Sequence, residues 1–98
     1  MSNPDKSIYC LPARTRETLD EYVAHGYRPG SFVEAVLSND LMGALGRADH
    51  ENRFYLFEIC MYVYNELPSA CWGTPEKVRA WLAMKLDERR REALGDVS

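Results

Sequence analysis

The sequence predicts an all-α fold, a small single-domain bundle of four to five helices with a central buried helix at about residues 50–66. Two observations favour helices over strands. None of the longer apolar runs alternates with polar residues at every second position, as a half-buried strand would. Residues that commonly cap helix N-termini, Ser31, Asp49 and Thr74, stand directly before amphipathic or apolar stretches. The length of 98 residues is that of one domain.

The first helix is expected to begin near Pro12, because proline suits the first turn of a helix. It is expected to end at His25, since Gly26 can adopt the left-handed conformation that closes many helices. Residues 1–10 have the composition of a polar arm that precedes this helix. The buried face of the helix is marked by residues with i, i+3, i+4 spacing: Leu19, Tyr22 and Val23.

The second helix has the strongest start signal in the chain. Ser31 and Glu34 have the spacing of a capping box, in which the serine caps the helix and the glutamate reaches back to the serine backbone. Residues 38–40, Ser-Asn-Asp, interrupt the apolar pattern, because Asn and Asp side chains bond to nearby backbone and favour caps and turns. A short helix over residues 41–48 is expected to follow.

The central helix is predicted from the longest apolar run, which extends from Phe54 to Val63 and follows a cap at Asp49. A helix that is apolar on all sides is expected to be buried on all sides, and Pro68 would end it. The last helix starts at Thr74 and Pro75. Residues 87–98 form its charged end and tail, with a stop at Gly95, and its apolar face carries Val78, Trp81, Leu82 and Leu86.

The composition of the chain limits the classes of partner and the cellular compartment that can be expected. The formal net charge of −3 does not favour nonspecific binding to nucleic acids or to acidic membranes. Residues 1–6 lack the apolar core of a signal peptide, and no stretch of about 20 apolar residues could span a bilayer. The three cysteines, an odd number without a CxxC pair, fit a reducing compartment. A cytoplasmic protein is therefore expected.

No catalytic motif stands out. The sequence has no glycine-rich phosphate loop, no nucleophile elbow, no zinc-protease motif and no EF-hand loop. Asp49-His50-Glu51 could in principle act in acid–base chemistry, but consecutive helical residues point in different directions. A cap followed by a first-turn acid explains these residues more simply. The two histidines, His25 and His50, are isolated, so we expect neither an enzyme nor a metal or cofactor.

A set of polar and aromatic residues, unusual for so small a core, predicts a ligand pocket. Arginines bind phosphates, aromatic rings stack on bases, and Asn or Asp side chains hydrogen-bond to ribose hydroxyls. The alternative is that these residues only cap helices, fix loops or pack in the core. The phosphate candidates are Arg28, Arg47 and Arg53, the stacking candidates are Tyr62 and Trp72, and the hydrogen-bonding candidates are Asn39, Asp40, Asn52 and Asn65.

Five short motifs stand in order between about residues 12 and 82: Pro29-Gly30-Ser31-Phe32, Ala35-Val36-Leu37-x-Asn39-Asp40-Leu41, Ala48-Asp49-x-x-Asn52, Tyr64-Asn65-x-x-Pro68 and Cys71-Trp72-Gly73. In order and spacing they resemble a widespread group of short phage- and prophage-encoded helical proteins. Small phage proteins of this kind often resemble counter-defence factors. Some of those are oligomeric sponges that withhold nucleotide immune signals, such as cyclic ADP-ribose variants or cyclic dinucleotides.

The resemblance and the pocket candidates together imply a phage-derived protein of the host cytoplasm that sequesters a small phosphate-containing nucleotide. A homo-oligomer is expected, because two Trp, six Tyr and three Phe are many for a chain with so little interior. Two alternatives remain open. One is a protein–protein inhibitor of a host enzyme or regulator. The other is a small DNA-binding regulator with a helix–turn–helix over residues 33–48, whose second helix offers only Arg47 as a basic residue.

Overall fold

A computed structural model describes residues 9–95, which form six α-helices and one 3₁₀ turn without any strand. The all-α prediction is confirmed, with one helix more than the four to five expected. Most of the predicted polar arm and the last three residues of the predicted tail lie outside the described residues. The elements are α1 Ala13–His25, α2 Ser31–Leu37, α3 Leu41–Arg47, α4 His50–Phe54, α5 Leu56–Glu66, the 3₁₀ turn Ser69–Cys71 and α6 Pro75–Gly95.

Most helix ends lie where local sequence signals predict them. Helix α1 ends before Gly26, which has a φ of +69° and whose N–H donates to the Tyr22 carbonyl oxygen. The Asp49 carboxylate accepts from the Asn52 N–H at 2.8 Å and caps α4. The Thr74 hydroxyl accepts from the Lys77 N–H at 3.1 Å and caps α6. These predictions hold because a cap acts over only three or four residues.

The capping box predicted for α2 is wrong. The N-cap of α2 is Gly30, at φ +88°, and no side chain caps the helix. Ser31 is already the first helical residue, one position too late to cap, and the Glu34 N–H donates to the Gly30 carbonyl oxygen at 2.9 Å. A glycine N-cap serves here because its backbone adopts a positive φ without steric cost.

The predicted central helix is divided at Tyr55 into α4 and α5, and only one of its faces is buried. The buried residues of α5 are Ile59, Tyr62 and Val63. On the other side, Phe54, Phe57 and Tyr64 are 77%, 71% and 69% exposed. The expectation of burial on all sides therefore fails, because so short a chain has too few helices to cover both faces.

The core joins α1, α2, α5 and α6, with α1 packed against α2 and α6, and α2 against α3. Tyr22, fully buried, ties three segments together. Its hydroxyl donates to the Cys71 carbonyl oxygen at 2.8 Å, and its own carbonyl accepts from Trp81 Nε1 at 3.1 Å. These two bonds attach α1 to the 3₁₀ turn and to α6. The fully buried side chains are Leu19, Tyr22, Leu37, Ile59, Tyr62, Cys71 and Val78.

The buried Cys71 thiol predicts a loss of stability in alkali. Burial raises its pKa to about 11, above the usual 9.0. Between pH 9 and 11 the unfolded chain releases this proton and the folded chain keeps it, so the free energy of unfolding falls as pH rises. We expect a loss on the order of 2 kcal/mol across this window, measured by denaturant titration at several pH values.

The matched variants for this prediction are Cys71→Ala and Cys10→Ser. Burial also raises the pKa of Tyr22, which adds to the fall above pH 10 in every variant. Cys71→Ala should therefore show a shallower decline between pH 9 and 10, whereas Cys10, which is exposed, should leave the decline unchanged when replaced. Equal slopes for Cys71→Ala and the wild type would contradict the assignment.

Candidate functional site

A cleft of about 600 Å³ separates the connector after α1 from one face of α6. The α6 residues that line it follow the i, i+3, i+4, i+7 spacing of a single helical face, extended by one more turn. We call this space the arginine cleft, because three of its side chains are guanidinium groups. Its lining residues are Gly26, Tyr27 and Arg28 from the connector and Arg79, Leu82, Ala83, Leu86 and Arg89 from α6.

Gly26 brings the connector close to α6. A Cβ atom at this position would lie 2.2 Å from the Cβ of Lys85, so only glycine allows this approach. The positive φ of Gly26 also ends α1 and turns the chain away from the helix axis. As a result Tyr27 and Arg28 lie across the cleft from Arg79, which is distant in sequence.

The electrostatics of the arginine cleft favour an anion. The Arg89 guanidinium lies over the Tyr27 ring, 5.0 Å from its centroid, and its Nε is buried without a hydrogen-bond partner among the described residues. Arg79 pairs with Glu76 at 3.4 Å, but both side chains are exposed and such a pair is weak. No carboxylate is among the described residues that line the cleft. Planar guanidinium groups in this setting can bind a phosphate through paired N–H···O bonds.

A second space is an apolar groove of about 280 Å³ between the end of α2 and α5. None of the described residues that line it is charged, and burial raises the pKa of the Cys60 thiol, which disfavours a reactive thiolate. The Trp72 ring packs edge-on against Tyr64 at 5.8 Å, and its buried Nε1 has no acceptor among residues 9–95. The groove suits an apolar occupant better than a phosphate. Its lining is Val36, Asn39, Phe57, Cys60, Met61, Val63, Tyr64 and Trp72.

The nine ligand residues predicted from the sequence do not converge on one site. Arg28 lines the arginine cleft, while Asn39 and Trp72 line the apolar groove. Asp40 and Arg47 line a third cavity, of about 300 Å³, beside α2 and α3. Within one chain, these five candidates therefore lie in three separate spaces.

Tyr62 is a core residue. Its side chain is fully buried, and its hydroxyl donates to the Asp20 carboxylate at 2.7 Å. The ring is further covered by Tyr9, edge-on at 5.3 Å, and by the Arg16 guanidinium at 5.1 Å. No face of the ring is left for a ligand, so the structure removes Tyr62 from the stacking candidates.

Several of the predicted hydrogen-bonding residues have structural roles. The Asn52 side-chain oxygen accepts from the Thr15 hydroxyl at 2.5 Å, which joins α4 to α1. Asn39 has a φ of +64°, a conformation that asparagine tolerates better than most residues, and it shapes the turn after α2. The Asp40 carboxylate accepts from the Gly43 N–H at 3.0 Å and caps α3. Arg53 on α4 and Asn65 on α5 are exposed.

Sequence reasoning missed Tyr27, Arg79 and Arg89 as cleft residues. Arg89 belongs to the charged end predicted for the last helix, yet its side chain is half-buried in the structure. The signal that could have found it is the spacing of Arg79, Leu82, Leu86 and Arg89, which places two cations and an apolar strip on one face of α6. The partner of this face, the connector after Gly26, becomes visible only in three dimensions.

Residues 9–95 form neither a metal site nor a membrane-spanning helix. In this range no group of three or more His, Cys, Asp or Glu side chains comes together in a way that could hold a metal ion. The helices of the same range include none that is long and apolar enough to cross a membrane.

No protein-family model matches this chain, and no curated protein or solved structure is similar enough to establish a relationship. The resemblance to phage-encoded helical proteins therefore stays a prediction that rests on the five sequence motifs. Function has to be argued from the chemistry of the two surfaces.

Proposed function

We propose that this protein is a non-catalytic binding protein whose arginine cleft receives the phosphate groups of a small nucleotide. One observation carries the proposal: Arg28, Arg79 and Arg89 line a single cleft without a carboxylate among its described lining residues. The formal net charge of the chain is −3, so this concentration of positive charge runs against the overall balance. Such a local reversal favours an anionic ligand at this position.

The cleft offers separate surfaces for the two ends of a nucleotide. The guanidinium groups at its rim can bind phosphate oxygens, and each charge-assisted hydrogen bond contributes about 1.5–3 kcal/mol. The exposed guanidinium groups of Arg28 and Arg79 can supply these donors, while Arg89, whose Nε is buried, adds positive charge to the cleft. Leu82 and Leu86 provide an apolar floor on which a base can lie, and the half-exposed Tyr27 ring, whose faces are in contact with Arg89 and His25, borders this floor with its edge.

The proposal extends to withholding the ligand without changing it. Among residues 9–95, those that line the cleft include no Asp, Glu, His, Cys, Ser or Lys that could act as a nucleophile or general base. The resemblance noted above favours a phage origin and a signalling nucleotide, of the cyclic ADP-ribose type or a cyclic dinucleotide, that the protein sequesters from a host defence system. A ligand bound in this way should be recovered chemically intact.

Nucleotide binding is tested by calorimetry on the purified chain, with cyclic ADP-ribose, a cyclic dinucleotide, ADP and inorganic pyrophosphate as probes. We expect at least one probe to bind and Arg28→Ala to weaken that binding about 10- to 100-fold, since it removes one or two charge-assisted bonds. Mass spectrometry of the denatured protein should show the bound nucleotide unchanged.

The control for charge is Arg90→Ala, which removes an exposed arginine of α6 that does not line the cleft. Arg53→Ala tests a phosphate candidate that lies on α4 instead. Both variants should bind as the wild type does. If none of the four probes binds, or if Arg90→Ala weakens binding as much as Arg28→Ala does, the cleft is not the ligand site.

The two alternative functions predicted from the sequence, a protein–protein inhibitor and a DNA-binding regulator, would each require a different surface of the protein. A protein–protein inhibitor would use the apolar groove, so variants of the groove and not of the cleft would remove its activity. A DNA-binding regulator would need a recognition helix, but α3 has seven residues and Arg47 is its one basic residue. The arginine cleft therefore supports a small phosphate ligand better than it supports DNA.

A further inference from the structure

One face of α5 is apolar and exposed. Phe57, Met61 and Tyr64 recur at i, i+4 and i+7, so they share this face. Phe57 and Tyr64 are 71% and 69% exposed, and Phe54, which precedes them on α4, is 77% exposed. Monomeric proteins rarely leave so many large aromatic side chains of one region in water. The opposite face of α5 is already buried in the core, so this face is the one available for a partner.

We propose that this face of α5 pairs with the same face of a second copy of the chain, antiparallel and about a two-fold axis. An isologous contact requires that residue i meets residue j and residue j meets residue i. Phe57 and Tyr64 are seven residues apart, and the midpoint between them falls at Cys60 and Met61. An axis at this midpoint brings Phe57 of each copy against Tyr64 of the other and sets the two Met61 side chains face to face.

The pattern of the face suits a copy of itself. It carries an aromatic ring at each end and the flexible Met61 side chain between them, so reversal of the helix returns the same kind of residue at each place. Methionine adapts to irregular packing and forms favourable contacts with rings. Of the residues that the structure describes, none that lines the groove beneath the face is charged, so two copies that each carry a net charge of −3 can meet here without like charges from the groove.

The area is in the range of a moderate dimer. Phe54, Phe57 and Tyr64 together expose roughly 400 Å² of ring surface, if each side chain has about 200 Å² in total. A standard interface buries about 800 Å² on each partner, so these rings supply about half and the groove rim must supply the rest. A dimer that dissociates in the micromolar range is the expected result. The proposal does not depend on the arginine cleft, which is formed by other residues.

Sedimentation equilibrium across the micromolar range tests the association. The wild type should change with concentration from the 11.3 kDa chain to twice that mass. Phe57→Glu should weaken dimerisation at least about 30-fold, because it removes a central aromatic contact and buries a charge. Leu94→Glu is the control, since Leu94 is an equally exposed apolar residue on α6. Circular dichroism checks that each variant remains helical.

Disulfide trapping tests the register. In a Cys10→Ser/Cys60→Ser background, which removes the exposed cysteine and the native cysteine at the axis, Met61→Cys should form a cross-linked dimer under mild oxidation, because residue 61 lies beside the axis. Tyr64→Cys should not, since the two copies of this residue are about 10 Å apart along the paired helices and a disulfide needs Cα atoms within about 7 Å. A monomer at every concentration, a dimer unaffected by Phe57→Glu, or preferential cross-linking of Tyr64→Cys would each overturn the proposal.

Discussion

Replacing Gly26 with alanine is expected to destabilise the fold by about 3 kcal/mol, with a fall in Tm of roughly 10–25 °C. Two costs add. At φ +69° an L-residue is strained by about 1–2 kcal/mol. The new Cβ would also lie 2.2 Å from the Lys85 Cβ, an atom near the backbone that cannot move aside without shifting α6. The contact between α1 and α6 has to open, and the arginine cleft opens with it.

Two other glycines separate these costs. Gly30 has a φ of +88° and a ψ of 165°, a region almost exclusive to glycine, and nothing lies within 4 Å of its added Cβ, so Gly30→Ala should show a backbone cost of its own without any clash. Gly46 lies in α3 and also has open space, so Gly46→Ala should stabilise the protein by about 0.5–1 kcal/mol through helix propensity. Thermal unfolding of all three variants gives the comparison. If Gly26→Ala lowers the free energy of unfolding by no more than the roughly 1–2 kcal/mol expected from its φ alone, the close approach to Lys85 contributes nothing to stability.

Leu19→Ala is expected to lower the free energy of unfolding by about 2–5 kcal/mol, a large share of the total for a domain of this size. Leu19 is fully buried on the inner face of α1. Truncation removes apolar surface from the core and leaves a cavity that close-packed neighbours fill only in part. Denaturant titration should show a lower midpoint with an unchanged slope, since the surface exposed on unfolding stays nearly the same.

Leu94→Ala is the control for this prediction, because it makes the same substitution at a leucine that is exposed to solvent. Leu94 is 69% exposed near the end of α6, so its truncation should change stability by no more than about 0.5 kcal/mol. A large effect there would mean that the end of α6 is covered by a partner. An effect of Leu19→Ala no greater than that of Leu94→Ala would place the core elsewhere than around α1.

The candidate sites illustrate how far sequence reasoning reaches. It identified Arg28 and Trp72 as ligand candidates, and each lines a cavity, but the two cavities differ. Sequence reasoning assigned Tyr62 to base stacking. In the structure, the Tyr62 hydroxyl instead donates to the Asp20 carboxylate and so joins α5 to α1. An aromatic residue satisfies a core and a pocket equally well by type. Only the position of neighbouring helices decides between the two.

The sequence by itself determined what local interactions control: the all-α class, the end of α1 at Gly26, and the caps at Asp49 and Thr74. Each of these features depends on interactions between a few adjacent residues, so a short stretch of sequence is enough to predict it. Burial depends instead on which faces meet other helices. Tertiary structure alone decided that Phe57 faces outward, and that Arg28 and Arg89 line one cleft, because the approach of Gly26 to α6 joins residues about sixty positions apart.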